Sequence, residues 1–353
     1  MSMKWLLLSL VLVFVASPVV ASGSAVVVVD DLGKVSGPVG NRSEEARGEA
    51  LREGLEEVLV RITGNRDVAE LSLAQELLRR PRQWLEQYGY VEGDEGLLLE
   101  ARYNVSGLSE QLARGGEALW GETRPVVLLW LVDESGSIVA EEGESELREV
   151  ASRRARHRGL PLVWPRMDEQ DRASIVAADI RGRFDRQLNE ASRRYPAGLI
   201  VTAVVYPGTR PSVRWRLLHD QQSLKEGTLE VAAGQATREL MVELLDLVAD
   251  HVASIYAVVM GDGTGLTLTV DQLDSLAAYD SVSRHVGGLA GMQSMRLLGL
   301  QGGRAEFELE FSGPPLQLER LLHLHGSLGP CEQLIGEEPA ADAGMRVCWS
   351  ADE

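Results

Sequence analysis

Apolar side chains recur at Ala46, Ala50, Leu51, Leu55, Val58, Leu59 and Ile62, in steps that place them on one side of a helix. Ser43, Glu44 and Glu45 precede the run and supply a cap with an acidic first turn. Gly64 follows it, where a left-handed C-terminal cap belongs. The stretch EGLEEVLVRITGN is therefore the end of an amphipathic helix and not a strand entering a phosphate loop. An anion loop needs its glycines ahead of a helix N-terminus, and here they follow a C-terminus.

Periodicity organises the rest of the chain. Ala25 to Val29 form a short β-branched strand that ends at the turn residues Asp30 and Asp31. Two shorter helices are expected over 71–80 and 81–88, the second opened by Pro81. A strand over 96–104 and a helix over 109–119 complete an N-terminal α+β domain at 22–122. The uninterrupted apolar run Val126 to Val132 predicts a strand buried on both faces. A helix over 144–158, a short strand over 160–164, a helix over 171–194 and a strand over 198–206 follow it, the alternation of a layered α/β domain. Antiparallel strands over 212–219 and 227–232 and a long helix over 236–260 close this central domain at 123–260. The glycines of 261–265 resemble a nucleotide loop, but a strand follows them, so they read as a linker.

The last segment predicts a strand (266–271), a helix (275–288), strands at 293–300 and 304–311, a helix (315–327) and strands near 332–336 and 345–349. This β-α-β-β-α-β order is that of a ferredoxin-like C-terminal domain over 266–353. The fold class is thus multi-domain, α/β and α+β. A length of 353 residues supports two or three domains, and 44% hydrophobic with 25% charged residues is a globular composition.

Residues 1–21 differ from the rest. Lys4 precedes the apolar run Trp5 to Ala16, and Val19-Val20-Ala21 precedes Ser22, the pattern of a secretory signal peptide cleaved after Ala21. The apolar run is about a dozen residues where a span needs about 20, and no later segment reaches that length, so no transmembrane segment is expected after cleavage. A net charge of −18 opposes nucleic-acid partners. The arginines at 153, 154, 156 and 158 are expected to spread around a helix as a solvated face. Cys331 and Cys348 are the only cysteines, and in an exported chain they are expected to form a disulfide that clamps a terminal hairpin.

The segments ALREGLEEVLVRITGN, LWGETRPVVLLWLVDESG, RGLPLVWPRMDEQD and LNEASRRYPAGLIVTAVV resemble, in this order, the bacterial envelope family called domain of unknown function 2066. The resemblance runs from about residue 22 to 325 of this chain. The central domain is also similar in element order to accessory domains of the curli-secretion and translocation-protein N-terminal type. These likenesses imply a periplasmic, protein-binding role in Gram-negative bacteria, with envelope proteins as partners.

The best acidic cluster is Asp168, Glu169 and Asp171, directly after the strand expected at 160–164. Loops at the carboxyl ends of such strands hold ligands in α/β domains, so Asp168 and Asp171 are candidate ligand-binding residues. The same two residues suit the cap and first turn of the next helix. Six histidines, at 157, 219, 251, 285, 323 and 325, are scattered, which argues against a zinc site. There is no Gly-x-Ser-x-Gly elbow, and no cofactor is implied. Trp120, Trp130, Trp164 and Trp215 read as core, or else as the walls of a ligand groove. The reading is a non-enzymatic interaction or accessory module of the cell envelope. Its rival is a periplasmic hydrolase or small-ligand or metal binder using Asp168 and Asp171, and a further reading makes the C-terminal domain a docking or oligomerisation unit.

Overall fold

The computed structural model describes residues 26–93, 96–219, 222–232, 236–323, 328–331 and 344–350. The expected signal peptide and the strand near 332–336 lie outside them. The N-terminal unit holds β1 (Val26–Val28), β2 (Lys34–Pro38), α1 (Glu44–Thr63), α2 (Ser72–Leu78), β3 (Leu85–Gly93), β4 (Gly96–Tyr103), α3 (Val105–Arg114) and β5 (Ala118–Leu119). β2, β4 and β3 form an antiparallel sheet in that order. α1 buries Leu51, Leu55, Val58, Leu59 and Ile62, and the Tyr103 hydroxyl donates to the Leu51 carbonyl at 2.5 Å. Ser43 caps α1 by accepting from the Ala46 amide, and Gly64 ends it at φ 71°. A Cβ at Gly64 would stand 2.3 Å from Cβ of Ala253, so close packing and the left-handed backbone both require glycine there.

Two expectations in this unit change. Pro81 opens a single 3-10 turn, Pro81–Trp84, and the chain then runs on as β3. Gly89 weakens a helix there, and the β-formers Tyr88, Tyr90 and Val91 pair across to β4. The helix expected at 109–119 starts earlier, capped by Asn104, and stops at Gly115 and Gly116.

The central unit holds β6 (Thr123–Pro125), β7 (Val127–Val132), α4 (Glu146–His157), β8 (Leu162–Val163), α5 (Glu169–Ser174), α6 (Ala177–Gly182), α7 (Asp185–Ser192), β9 (Leu199–Tyr206), β10 (Ser212–His219), β11 (Gln222–Glu230), α8 (Thr237–Tyr256) and β12 (Val258–Val259). Its sheet has the order β11-β10-β9-β7-β8, with β7 parallel to both β8 and β9. All six residues of β7 are buried, because the sheet is covered on both sides. Val127, Leu129 and Leu131 share a core with α4 and α8, while Leu128, Trp130 and Val132 pack with Ile175, Ile180, Leu188 and Ala191 of the α5–α7 layer. The helix expected over 171–194 is three helices. The β-branched Val176 is extended, and Arg183 is left-handed at φ 60°, so the chain bends twice to follow the sheet. β1 pairs with β6, and β12 pairs with β5. Both ends of the central unit are therefore tied to the N-terminal one.

The C-terminal unit holds β13 (Thr264–Asp271), α9 (Leu276–Gly287), β14 (Met292–Gln301), β15 (Arg304–Phe311), α10 (Pro315–His323), β16 (Leu328–Gly329) and β17 (Met345–Trp349), in the sheet order β14-β15-β13-β17-β16. β15 alternates without a break, with Ala305, Phe307, Leu309 and Phe311 buried and Glu306, Glu308 and Glu310 exposed. In a ferredoxin-like sheet the last strand runs antiparallel to the first. Here β17 is parallel to β13, and the two-residue β16 takes the outer position, antiparallel to β17. The Cys331–Cys348 disulfide is present, with Cα atoms 4.9 Å apart, and it joins the residues just after β16 to β17. Reduction should cost about 3 kcal/mol on the chain-entropy account of a loop this long. Urea unfolding with and without reductant checks this, with the midpoint expected to fall on reduction.

Candidate functional site

The acidic loop after β8 is the place where sequence reasoning set a ligand. Asp168 caps α5, its Oδ1 accepting from the Asp171 amide at 3.1 Å. Asp171 is fully enclosed. Its Oδ2 accepts from the Met167 amide at 2.8 Å and from the Tyr195 hydroxyl. The structure adds a residue that the sequence did not reveal. Arg194 grips Asp168 with both terminal nitrogens, at 2.7 and 2.8 Å, and reaches Asp171 Oδ1 at 3.0 Å. Its hydrogen bond, with that of the Asp171 amide, holds the Asp168 carboxyl well below the ordinary carboxylate range. The Tyr195 hydroxyl accepts in turn from the Arg166 amide at 2.8 Å, and burial raises its pKa.

The loop thus brings Asp168 and Asp171 together, but one guanidinium spans both and one phenol completes the inner one. A cation entering here would have to displace Arg194. Met167 takes a left-handed backbone at φ 52°, which aims its amide at Asp171. Tyr195→Phe removes one donor to an enclosed carboxylate and one acceptor, and should cost about 1–2 kcal/mol. Its chemical denaturation midpoint checks that.

The other candidates resolve as follows. Trp120, Trp130, Trp164 and Trp215 are all buried; Trp130 and Trp164 donate to Ser192 and Ser152, each at 2.9 Å. The arginine run is not a solvated face. Arg158 is completely enclosed, and with Arg154 it faces Asp246 and Asp250 of α8. Asp271 lies beside the disulfide and is held by Arg304 and Arg346, each at 2.6 Å. His325 lies outside the described residues.

An open cleft of about 550 Å³ lies elsewhere, between β1, α4 and the start of β8. Val27 and Val28 of β1 line it, 41% and 50% exposed, opposite Ala155, Leu160 and Leu162. Lys34 and Arg156 stand at its rim, both exposed. Arg61 lies deeper, with burial, the largest influence, pulling its pKa down. It donates to the carbonyls of Lys34 at 2.6 Å and Arg156 at 3.1 Å and pairs with Glu57. Arg61 therefore fixes the cleft's shape, and Lys34 and Arg156 bring positive charge to its mouth, where Asp31, paired with Arg102, is the one acid. β1 showed in the sequence as an apolar run; that it borders a cleft depends on its pairing with β6, about a hundred residues away, which no local pattern encodes.

Residues 26–121 match the family described as Domain of unknown function (DUF8605). None of the curated proteins matches the chain. Among solved structures, the chain is similar to lipoprotein GNA1162 from Neisseria meningitidis, with 16% identity and a TM-score of 0.23 over 37% of this chain and 99% of that one. No helix among the described residues is long and apolar enough to cross a membrane.

Proposed function

We propose that the chain is an exported accessory protein of the Gram-negative envelope, related to the domain of unknown function 2066 family, that works by binding a partner protein and not by catalysis. The observation that carries this reading is the cleft beside β1. Its walls are apolar and open, its rim carries Lys34 and Arg156 beside Asp31, whose carboxylate Arg102 already engages, and exposed valines on a two-stranded ribbon are a recurrent form of surface for an extended segment. The partner's segment would present apolar side chains to Val27, Val28 and Leu162 and a carboxylate to Lys34 or Arg156. Arg194, already bound to Asp168 and Asp171, speaks against a metal or hydrolytic role for that loop. The C-terminal unit is read as a ferredoxin-like domain with a rearranged edge.

A photoreactive side chain at Val28, activated in intact cells, tests the reading. A discrete crosslinked product with one envelope protein is expected, far above that from the equally exposed Phe184 (53% against 50%). Equal yields at the two positions would refute it.

A further inference from the structure

The chain is strongly acidic, yet four arginines meet at one place on the N-terminal unit. Arg52 of α1, Arg79 and Arg80 at the end of α2, and Arg82 of the following turn line a hollow of about 540 Å³, with Leu78, Pro81 and one acid, Glu44, among its walls. Gly48 completes the α1 side, where an added Cβ would meet nothing within 4 Å, so the hollow is open above that helix face. Some surface arginines meet acids, as in Arg102–Asp31, Arg284–Asp280 and Arg296–Glu308, and others, such as Arg153, Arg172 and Arg320, stand singly and exposed; what sets the hollow apart is that four arginines line one space. In the hollow only Arg82 meets an acid, Glu44 at 3.0 Å. The side chains of Arg52, Arg79 and Arg80 have no carboxylate, carbonyl or ring partner among the described residues. Arg79, as the C-cap of α2, offsets the negative end of that helix. That role does not call for Arg52, which comes from another helix, or for the convergence of all four.

We infer that this hollow is a binding site for a phosphate ester. Guanidinium forks match the oxygens of a phosphate group in pairs, and Arg52, Arg79 and Arg80, which have no acid partner, outnumber the one carboxylate of the lining, Glu44, which Arg82 already engages. The wall of Leu78 and Pro81 accommodates the carbon portion of the ester, which a bare inorganic anion would leave unused. The ester is either a lipid headgroup or a soluble metabolite, since both present the same group. The site is separate from the cleft beside β1, and the inference stands independently of the function proposed for that cleft.

The test uses the full chain with two probes that share a headgroup. Glycerol 3-phosphate is titrated calorimetrically, and vesicles of phosphatidylcholine with phosphatidic acid are assayed by flotation against phosphatidylcholine alone. Arg52→Ala, Arg79→Ala and Arg80→Ala should each weaken binding about tenfold, the loss of one charge-assisted contact. The melting temperatures of Arg52→Ala and Arg80→Ala should match the parent, because neither side chain has an ion-pair or hydrogen-bond partner among the described residues, while Arg79→Ala also gives up the charge at the end of α2. Arg153→Ala, which changes the net charge equally at an exposed position of α4, should bind as the parent does. Binding to vesicles alone assigns a lipid headgroup, binding to the soluble ester alone assigns a small metabolite, and binding to both assigns the phosphate group itself. No binding of either probe would overturn the inference. So would a loss in Arg153→Ala equal to that in Arg79→Ala, which would make overall charge the cause.

Discussion

Replacing Asp246 with alanine is expected to destabilise the protein by about 3–5 kcal/mol, the range for removing one partner of a buried ion pair. Asp246 is 4% exposed and Arg158 not at all. Arg154 donates to both carboxylate oxygens at 2.8 Å, and Arg158 donates to Oδ1 at 2.8 Å. Without the carboxylate, Arg158 keeps Asp250, the Gly64 carbonyl and a long contact of 3.4 Å to the backbone carbonyl of residue 246. The loss spreads beyond α8, because the same cluster joins α1, α4 and α8. Urea unfolding measures the effect; a cost below about 1 kcal/mol would place the pair in the weak class of surface bridges. The pH dependence has a definite sign. Burial alone would raise the Asp246 carboxyl, but the hydrogen bonds from Arg154 and Arg158 more than reverse this and lower it. A carboxyl depressed by folding contributes stability above its unfolded value, near 3.9, and that contribution is lost as pH falls toward the folded value. Wild-type stability should therefore fall below about pH 4, and Asp246→Asn should flatten that part of the curve.

Arg124→Met should cost about 4 kcal/mol or more, since it strips donors from several enclosed carbonyls at once. Arg124 is fully buried. It donates to the carbonyls of Gly121 at 2.9 Å, Gly159 at 2.7 Å, Arg61 at 2.6 Å and Trp120 at 3.2 Å, and lies over the Trp120 ring at 3.9 Å. Burial, with Arg61 close by, pushes its pKa down to about 9, so it remains charged at neutral pH. These carbonyls belong to the end of α1, the segment between β5 and β6, and the turn after α4. One side chain thus fastens the N-terminal unit to the central one. Arg124→Lys should fail to restore stability, because a single ammonium cannot reach donors so far apart. A lysine variant as stable as the parent would show that charge, and not the fork, is what the site needs. Denaturant midpoints of the two variants decide it.

Much of the fold follows from local pattern. α1 could be read to its caps, because amphipathic spacing, Ser43 and Gly64 all agree. β7 could be read from its apolar run alone. The reading failed where a neighbour decides the outcome. Residues 85–93 are a strand because β4 lies beside them, and 171–194 bends at Val176 and Arg183 to stay on the sheet. Part of the buried ion cluster was legible. Arg154 and Arg158 are four apart, as are Asp246 and Asp250, and spacings of four put each pair on one helix face. Such matching pairs signal two helices in contact, a signal the solvated-face reading passed over. Arg194 gave no such sign, since its partners Asp168 and Asp171 lie more than twenty residues earlier and meet it only through the packing of α5 on α7.

Whether this protein is an interaction module or a ligand-processing one turns on Asp168 and Asp171. The most direct measurement is the thermal unfolding of the Asp168→Ala/Asp171→Ala double variant beside the parent, each with and without calcium or magnesium. Carboxylates that cap α5 and anchor Arg194 and Tyr195 predict a melting temperature lower by about 5 °C or more, with the parent unmoved by either metal. An unchanged melting temperature in the variant, with a metal-induced rise in the parent that the variant loses, would contradict that reading.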